Sequence, residues 1–199
     1  MGGRAVSVDG YRIEPLGSQT WDAFADLAER HNGVWGGCWC TWFHRNPDSP
    51  DRETLGNREF KRRLVEADRA HAALVFDGDV AVAWAEYGPV VELPNIHHRK
   101  EWEQSAVRMP DYRITCLFVD RRYRRKGMAT VAVRGALALI AAAGGGIVES
   151  YPHDLPPGKK TSASFLYNAT RSMYEQLGFT YERAKGKGNC VMSKVIPAS

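Results

Sequence analysis

Hydrophobic and polar positions change their period several times along the chain, and each change predicts an element. Tyr11 to Glu14 alternates, as a half-buried strand does, and Pro15 ends it. Trp21, Phe24, Leu27 and Ala28 recur at helical spacing, behind the capping residue Thr20 and ahead of Asn32-Gly33. Ser49-Pro50 opens a second helix that carries Leu55, Phe60 and Leu64 and runs to about Ala67. Its Arg52, Arg58, Lys61, Arg62, Arg63 and nearby Arg69 form a solvated charged face. Ala72 to Phe76 and Val80 to Tyr87, split by Asp77-Gly78-Asp79, predict a hairpin. Simple alternation puts Val80, Val82, Trp84 and Glu86 on one face of its second strand.

Gly88 to Pro110 follows, a connection long enough to form a lid or binding loop. Its His97-His98 pair reads as surface polar, since no second ligand cluster lies near in sequence. Arg113 to Asp120 is apolar on both faces, as a covered central strand requires. Met128 to Ala143 is apolar nearly all round except Arg134, which predicts a buried helix, stopped by Gly144-Gly145-Gly146. A strand over Ile147 to Tyr151, a basic loop over Asp154 to Thr161 with Lys159 and Lys160, and a short helix from about Ser164 come next. Gly178 ends that helix, and strands over Phe179 to Arg183 and Cys190 to Ile196 close the chain. Strands and helices interleave in this way in α/β folds, a sheet layered with helices.

Composition changes this picture little. The chain has 199 residues, 44% hydrophobic and 25% charged, with a formal net charge of +4. That suits one domain with a real core, and a mild basic excess compatible with anionic ligands. No apolar leader stands at Met1 to Asp9, and Gly135 to Val148 falls short of the roughly 20 residues a membrane helix needs. A cytoplasmic protein without a membrane span is the expectation. The four cysteines make no disulfide scaffold, and Cys38-x-Cys40, with His31 and His44 nearby, is too closely spaced for the usual zinc pair. They read as small buried thiols, with no metal site.

Two stretches carry chemistry. Asp120 to Thr130 joins a strand end to a helix start through Arg121, Arg122, Arg124, Arg125 and Lys126. The first N–H groups of a helix have no partners inside it and its dipole adds positive character, so such a turn holds a diphosphate. Gly127 allows close approach of an anion. The other stretch, Gly36 to Phe43, packs Trp39, Trp42 and Phe43 beside Cys38 and Cys40. It reads either as a core plug or as one wall of an acceptor pocket. Glu86 reads two ways as well: buried among apolar neighbours its pKa would rise to suit a general base, while at a strand end it would meet water.

Arg124-x-x-Gly127-x-Ala129 resembles the Arg/Gln-x-x-Gly-x-Gly/Ala signature of the GCN5-related N-acetyltransferase (GNAT) superfamily. Leu117-Phe118-Val119-Asp120 is similar to that family's strand end, and Tyr174-Glu175-Gln176-Leu177-Gly178-Phe179 to its Tyr-x-x-x-Gly-Phe run. The resemblance spans roughly Ala72 to Ile196. It implies one domain over 1–199, with 11–69 as first strand and helix pair and 70–199 as coenzyme-binding and catalytic sheet. The implied fold is a mixed, mostly antiparallel sheet flanked by helices.

The implied activity is transfer of an acyl group, acetyl first, from acyl-coenzyme A to the amine of a small molecule or an amino acid. Backbone amides of Arg124, Arg125, Lys126, Gly127, Met128, Ala129 and Thr130 would hold the diphosphate. The main chain over Leu117, Phe118 and Val119 would pair with the pantetheine arm like an added strand. Asn168 is a further cofactor candidate. Glu86 or a water chain would take the amine's proton, a backbone N–H near Val119 would polarise the carbonyl, and Tyr174 would give a proton or a hydrogen bond to the departing thiolate. Trp39, Trp42, Phe43 and Trp84 would face the acceptor. Two other readings stand: RNA contact through Arg121, Arg122, Arg125, Lys159, Lys160, Lys185 and Lys187, with an aminoacyl-tRNA as donor or substrate, and a non-catalytic acyl-CoA-binding regulatory domain. A monomer or homodimer fits each.

Overall fold

A computed structural model describes residues 5–46, 51–155 and 166–199. The Ser49-Pro50 helix start, most of the basic loop with Lys159 and Lys160, and the Ser164 helix start lie outside the described residues.

Eight strands form one sheet in the order β1-β2-β3-β4-β5-β6-β8-β7. They are β1 (Val6–Val8), β2 (Tyr11–Pro15), β3 (His71–Asp77), β4 (Val80–Pro89), β5 (Tyr112–Val119), β6 (Gly146–Ser150), β7 (Thr180–Lys185) and β8 (Asn189–Ile196). Every neighbouring pair is antiparallel except β5 and β6. The helices are α1 (Trp21–Glu29), α2 (Asp51–Leu55), α3 (Asn57–Glu66), α4 (Arg99–Ser105), α5 (Met128–Ala142) and α6 (Arg171–Gln176). The mixed, mostly antiparallel sheet is thus the predicted one. It gains β1, and the long 88–110 connection contains α4.

The sheet separates two cores. One face meets α5 and α6, through Ile13, Ala73, Val131, Ala136, Ile140 and Tyr174 among others. Gly135 lets α5 lie close on β2 and β3: a Cβ there would sit 2.7 Å from Ile13 Cγ2. The other face meets α1 and the 34–43 loop through Phe24, Leu27, Trp39, Phe43, Trp84 and Phe118. A bulge in β4 breaks the predicted alternation. Val75 pairs with Ala83 and Phe76 with Ala81, leaving Val82 as the extra residue. Val82 therefore faces α5 while Trp84 faces α1, and the two do not share a face.

The predicted solvated face of the second helix is also broken. Lys61 is only 1% exposed, drawn inward to a buried carboxylate. The cysteines differ from expectation as well: Cys40 and Cys116 form a disulfide with Cα atoms 6.5 Å apart, while Cys38 and Cys190 are free. That separation is within the ordinary disulfide range. The expectation of four free thiols held for two. No described helix is long and apolar enough to cross a membrane.

Candidate active site

The site begins where two parallel strands part. β5 pairs with β6 only over Tyr112–Ile114 against Val148–Ser150, and then runs on to Val119. Beyond Ile114 the edge of β5 that faced β6 opens. A cavity of about 560 Å³ lies there, between the end of β5, the turn after it, the first turn of α5 and the 166–170 segment. Of the cofactor residues predicted from sequence, Leu117, Phe118, Val119, Arg124, Arg125, Gly127, Met128, Ala129 and Thr130 line it.

Asp120 builds the turn. Its Oδ1 accepts a 2.9 Å hydrogen bond from the Arg122 N–H, and the Arg122 guanidinium and His31 approach the same carboxylate. Hydrogen bonds from Arg122 hold the Asp120 carboxyl well below the usual carboxylate range. Fixing Asp120 fixes the chain's exit from β5. Arg125 and Gly127 then take left-handed backbone, φ 62° and 78°, and turn the chain into α5. A Cβ on Gly127 would meet nothing within 4 Å, so open space lies before the helix start. A left-handed non-glycine such as Arg125 costs free energy and is held by its surroundings.

Two predicted cofactor residues stand elsewhere. Lys126 is exposed, its ammonium 5.3 Å from the centroid of the Tyr123 ring. Asn168 is buried and donates from Nδ2 to the Tyr151 carbonyl at 3.2 Å, so it ties loop to strand rather than lining the cavity. The Leu117 main chain carries a finding that sequence could not supply. Its N–H already donates to the Tyr167 carbonyl at 2.7 Å, so the 166–170 segment sits where an added strand would pair. Val119, two residues on, presents its N–H to the same edge.

Tyr174 is fully buried on α6, edge-to-face with Phe179 at 4.9 Å. Its hydroxyl turns toward Ser150 but makes no hydrogen bond of normal geometry with a described residue. Burial pushes its phenol well above the ordinary value, so it is a protonated group, placed beside the last residue of β6 and in the lining of neither cavity.

Glu86 corrects the sequence reading. It is 1% exposed and lies inside a polar cluster, not in either cavity. Lys61 Nζ stands 2.6 Å from its Oε1, His44 Nε2 3.2 Å from the same oxygen, and the Thr115 hydroxyl donates to Oε2 at 2.8 Å. Burial alone would raise the carboxyl. The Lys61 charge and then His44 outweigh it, and the group is lowered to about 2. His44 is held below its ordinary value by burial and by Lys61, and its Nδ1 lies 2.9 Å from the Glu92 carbonyl oxygen. A carboxylate held this firmly ionised is a structural counter-ion joining α3, β4 and β5, and a poor proton acceptor.

A second cavity, about 170 Å³, opens on the α1 face of the sheet. Trp42 and Phe43 line it. Trp39 and Trp84 do not. Trp39 stacks on Trp21 at 6.2 Å, and Trp84 is wedged between Phe24 and Phe118, each at 4.8 Å. Both are core. The rest of the lining is Trp35, Cys38, the Cys40–Cys116 disulfide, His97 and Tyr167, none of which was placed there from sequence. Trp35 lines both cavities. The signal that sequence offers is the density of aromatic residues beside Gly36-Gly37, while the His97-His98 pair reads as surface polar. Among the described residues no group of three or more His, Cys, Asp or Glu could hold a metal ion.

Comparison with known proteins bears on this arrangement. A search among curated proteins finds no match. Solved structures share the fold across the whole chain. A histone acetyltransferase HPA2 and related acetyltransferase from Corynebacterium glutamicum is 16% identical, with 100% of this chain and 98% of that one covered and a TM-score of 0.51. The ribosomal-protein-S5-alanine acetyltransferase of Vibrio fischeri is 14% identical, with 97% of each chain covered and a TM-score of 0.51. A GNAT-family acetyltransferase from Listeria monocytogenes is 12% identical, with 96% and 99% covered and a TM-score of 0.52. The Acetyltransferase (GNAT) family matches residues 17–154. The match begins well before Ala72, so the helix pair and the Cys/Trp stretch fall inside it. On that match the chain belongs to the GNAT family of acetyltransferases.

Proposed function

We propose that this protein is an acyl-CoA-dependent N-acyltransferase that transfers acetyl to the amine of a small molecule by direct attack on the thioester. The observation that carries this reading is the run of the larger cavity along the opened edge of β5 to the start of α5. The fit to coenzyme A rests on chemistry present at each end. Open space fronts the left-handed Gly127, and the Arg124 and Arg125 cations border it. Unpaired first-turn N–H groups there suit a diphosphate. A strand edge with Val119 N–H free to pair suits an amide-bearing arm.

Bound there, the thioester supplies an activated acyl carbon and a good leaving group. The chain's own groups do the rest. First-turn amides of α5 hold phosphate, and Val119 orients the arm. Leu117 N–H becomes a donor for the carbonyl oxygen once the Tyr167 carbonyl withdraws. Tyr174, kept protonated by burial, offers the departing thiolate a hydrogen bond where β5 and β6 part. Glu86 has no part in proton transfer.

Calorimetric titration with coenzyme A tests this reading. Binding is expected, and Arg124→Glu should weaken it about tenfold, equivalent to about 1.4 kcal/mol. A protein that ignores coenzyme A overturns it. The RNA reading loses one of its cations, since Lys185 is buried over Tyr151.

A further inference from the structure

The smaller cavity has a size, a lining and a place relative to the cleft. An apolar cavity of about 150 Å³ admits benzene, and this one measures about 170 Å³. Its walls are ring faces and edges. Trp42 meets Phe43 at 5.0 Å and 87°, Trp35 meets Tyr167 at 6.1 Å and 69°, and His97 stacks on Trp42 at 4.2 Å. Such walls suit an aromatic guest and attract an ammonium through their π faces. The described lining residues carry no fixed charge that would meet a carboxylate or a second ammonium. The cavity shares Trp35 with the cleft, and Cys116 on its floor precedes Leu117. An acyl carbon held at Leu117 would therefore lie at the boundary.

We propose that this cavity is the acceptor subsite, that it takes small primary amines bearing an aromatic ring, and that His97 at its rim takes the proton. The proposal rests on the acyltransferase reading above. His97 is exposed enough to exchange its proton with water. Burial against its neighbours, then the Lys185 and His98 charges, hold its imidazole below the ordinary value, so it is neutral at pH 7. The groups around it are Trp42 beneath, Tyr167 beside, Lys185 of β7 donating to its carbonyl, and His98, which in turn faces Glu101 of α4. In the reaction the acceptor's ammonium gives one proton to His97 and thence to water. The new C–N bond forms as the C–S bond breaks, and the second nitrogen proton leaves with the thiolate as free thiol.

Phenethylamine, glycine and spermidine serve as probes on the full chain, in calorimetry and in a thiol-release assay with acetyl-CoA. Phenethylamine should bind, and its kcat/KM should exceed that of the other two by more than about tenfold, or 1.4 kcal/mol. Cys38→Phe, which fills the cavity from a half-buried position, should abolish phenethylamine binding and leave coenzyme A binding intact. His97→Gln should keep phenethylamine affinity and lower kcat about 100-fold. It should also remove the rise of kcat with pH below 6.5, and His98→Gln should not. Equal turnover of glycine or spermidine, or absent or Cys38→Phe-insensitive phenethylamine binding, overturns the acceptor assignment. An unchanged kcat in His97→Gln removes His97 from the reaction. A protein that binds phenethylamine but not coenzyme A overturns the acyltransferase reading instead.

Discussion

The two cavities share Trp35 and are built in opposite ways. The larger is walled by backbone: an opened strand edge, a left-handed glycine, the start of a helix. The smaller is walled by side chains from four separated stretches, at 35–43, 97, 116 and 167. A backbone site needs residues at fixed local spacing, because the chain must turn, approach and start a helix within about ten positions. A side-chain site needs only that folding deliver the right surfaces. The first kind leaves a local signature, and the second is free to vary with the molecule bound.

The difference can be broken or sharpened by substitution. The largest effect is expected at the cluster beneath the smaller cavity. Lys61→Met takes the lysine charge from buried Glu86 and leaves it only His44 and Thr115, which should cost about 3–5 kcal/mol in denaturant unfolding. The pH dependence has a defined sign. Glu86 is lowered from 4.5 to about 2, so its contribution is full above about pH 4.5 and is lost as pH falls toward 2. His44, also lowered, adds to acid sensitivity from 6.5 downward. Acid unfolding of the native protein should therefore deepen in that window, and Lys61→Met should weaken the dependence. If Lys61→Met unfolds like the native chain, the cluster is not what joins α3 to the sheet.

Tyr174→Phe separates chemistry from packing. It removes a buried hydroxyl that lacks a normal hydrogen bond, so stability should stay within about 0.5 kcal/mol. Turnover should fall about 100-fold if the phenol serves the leaving group. Unchanged turnover in a thiol-release assay leaves Tyr174 as core only. Gly127→Val should act on the backbone site alone. Forcing a β-branched residue to φ 78° costs about 1–2 kcal/mol, and coenzyme A affinity should drop with it while phenethylamine binding does not. Arg58→Ala is the smallest. The Arg58–Glu29 pair at 2.9 Å is half exposed, so unfolding should shift by less than about 0.5 kcal/mol.

How much was legible follows the same division. The strand-turn-helix over Arg113 to Ala142 was readable because each residue's role there is local. Glu86 was misjudged because its partner Lys61 lies 25 residues away on a helix whose charge run looked solvated. Nothing in either stretch says that one lysine of the run points inward. Val82 and Trp84 were placed on one face because alternation is the default, and one inserted residue reverses it. His97 reads from its neighbours in sequence as a surface residue, and only the fold lays it on Trp42. The Cys40–Cys116 bond spans 76 residues and has no local sign.

The hydrogen bond from Leu117 to the Tyr167 carbonyl has a consequence for the resting enzyme. An unoccupied strand edge recruits other chains, and here the protein supplies its own occupant. A ligand arriving along β5 would then exchange one partner for another instead of gaining a new one. Its grip on that stretch would be tempered, which favours letting go of product as much as taking hold of substrate.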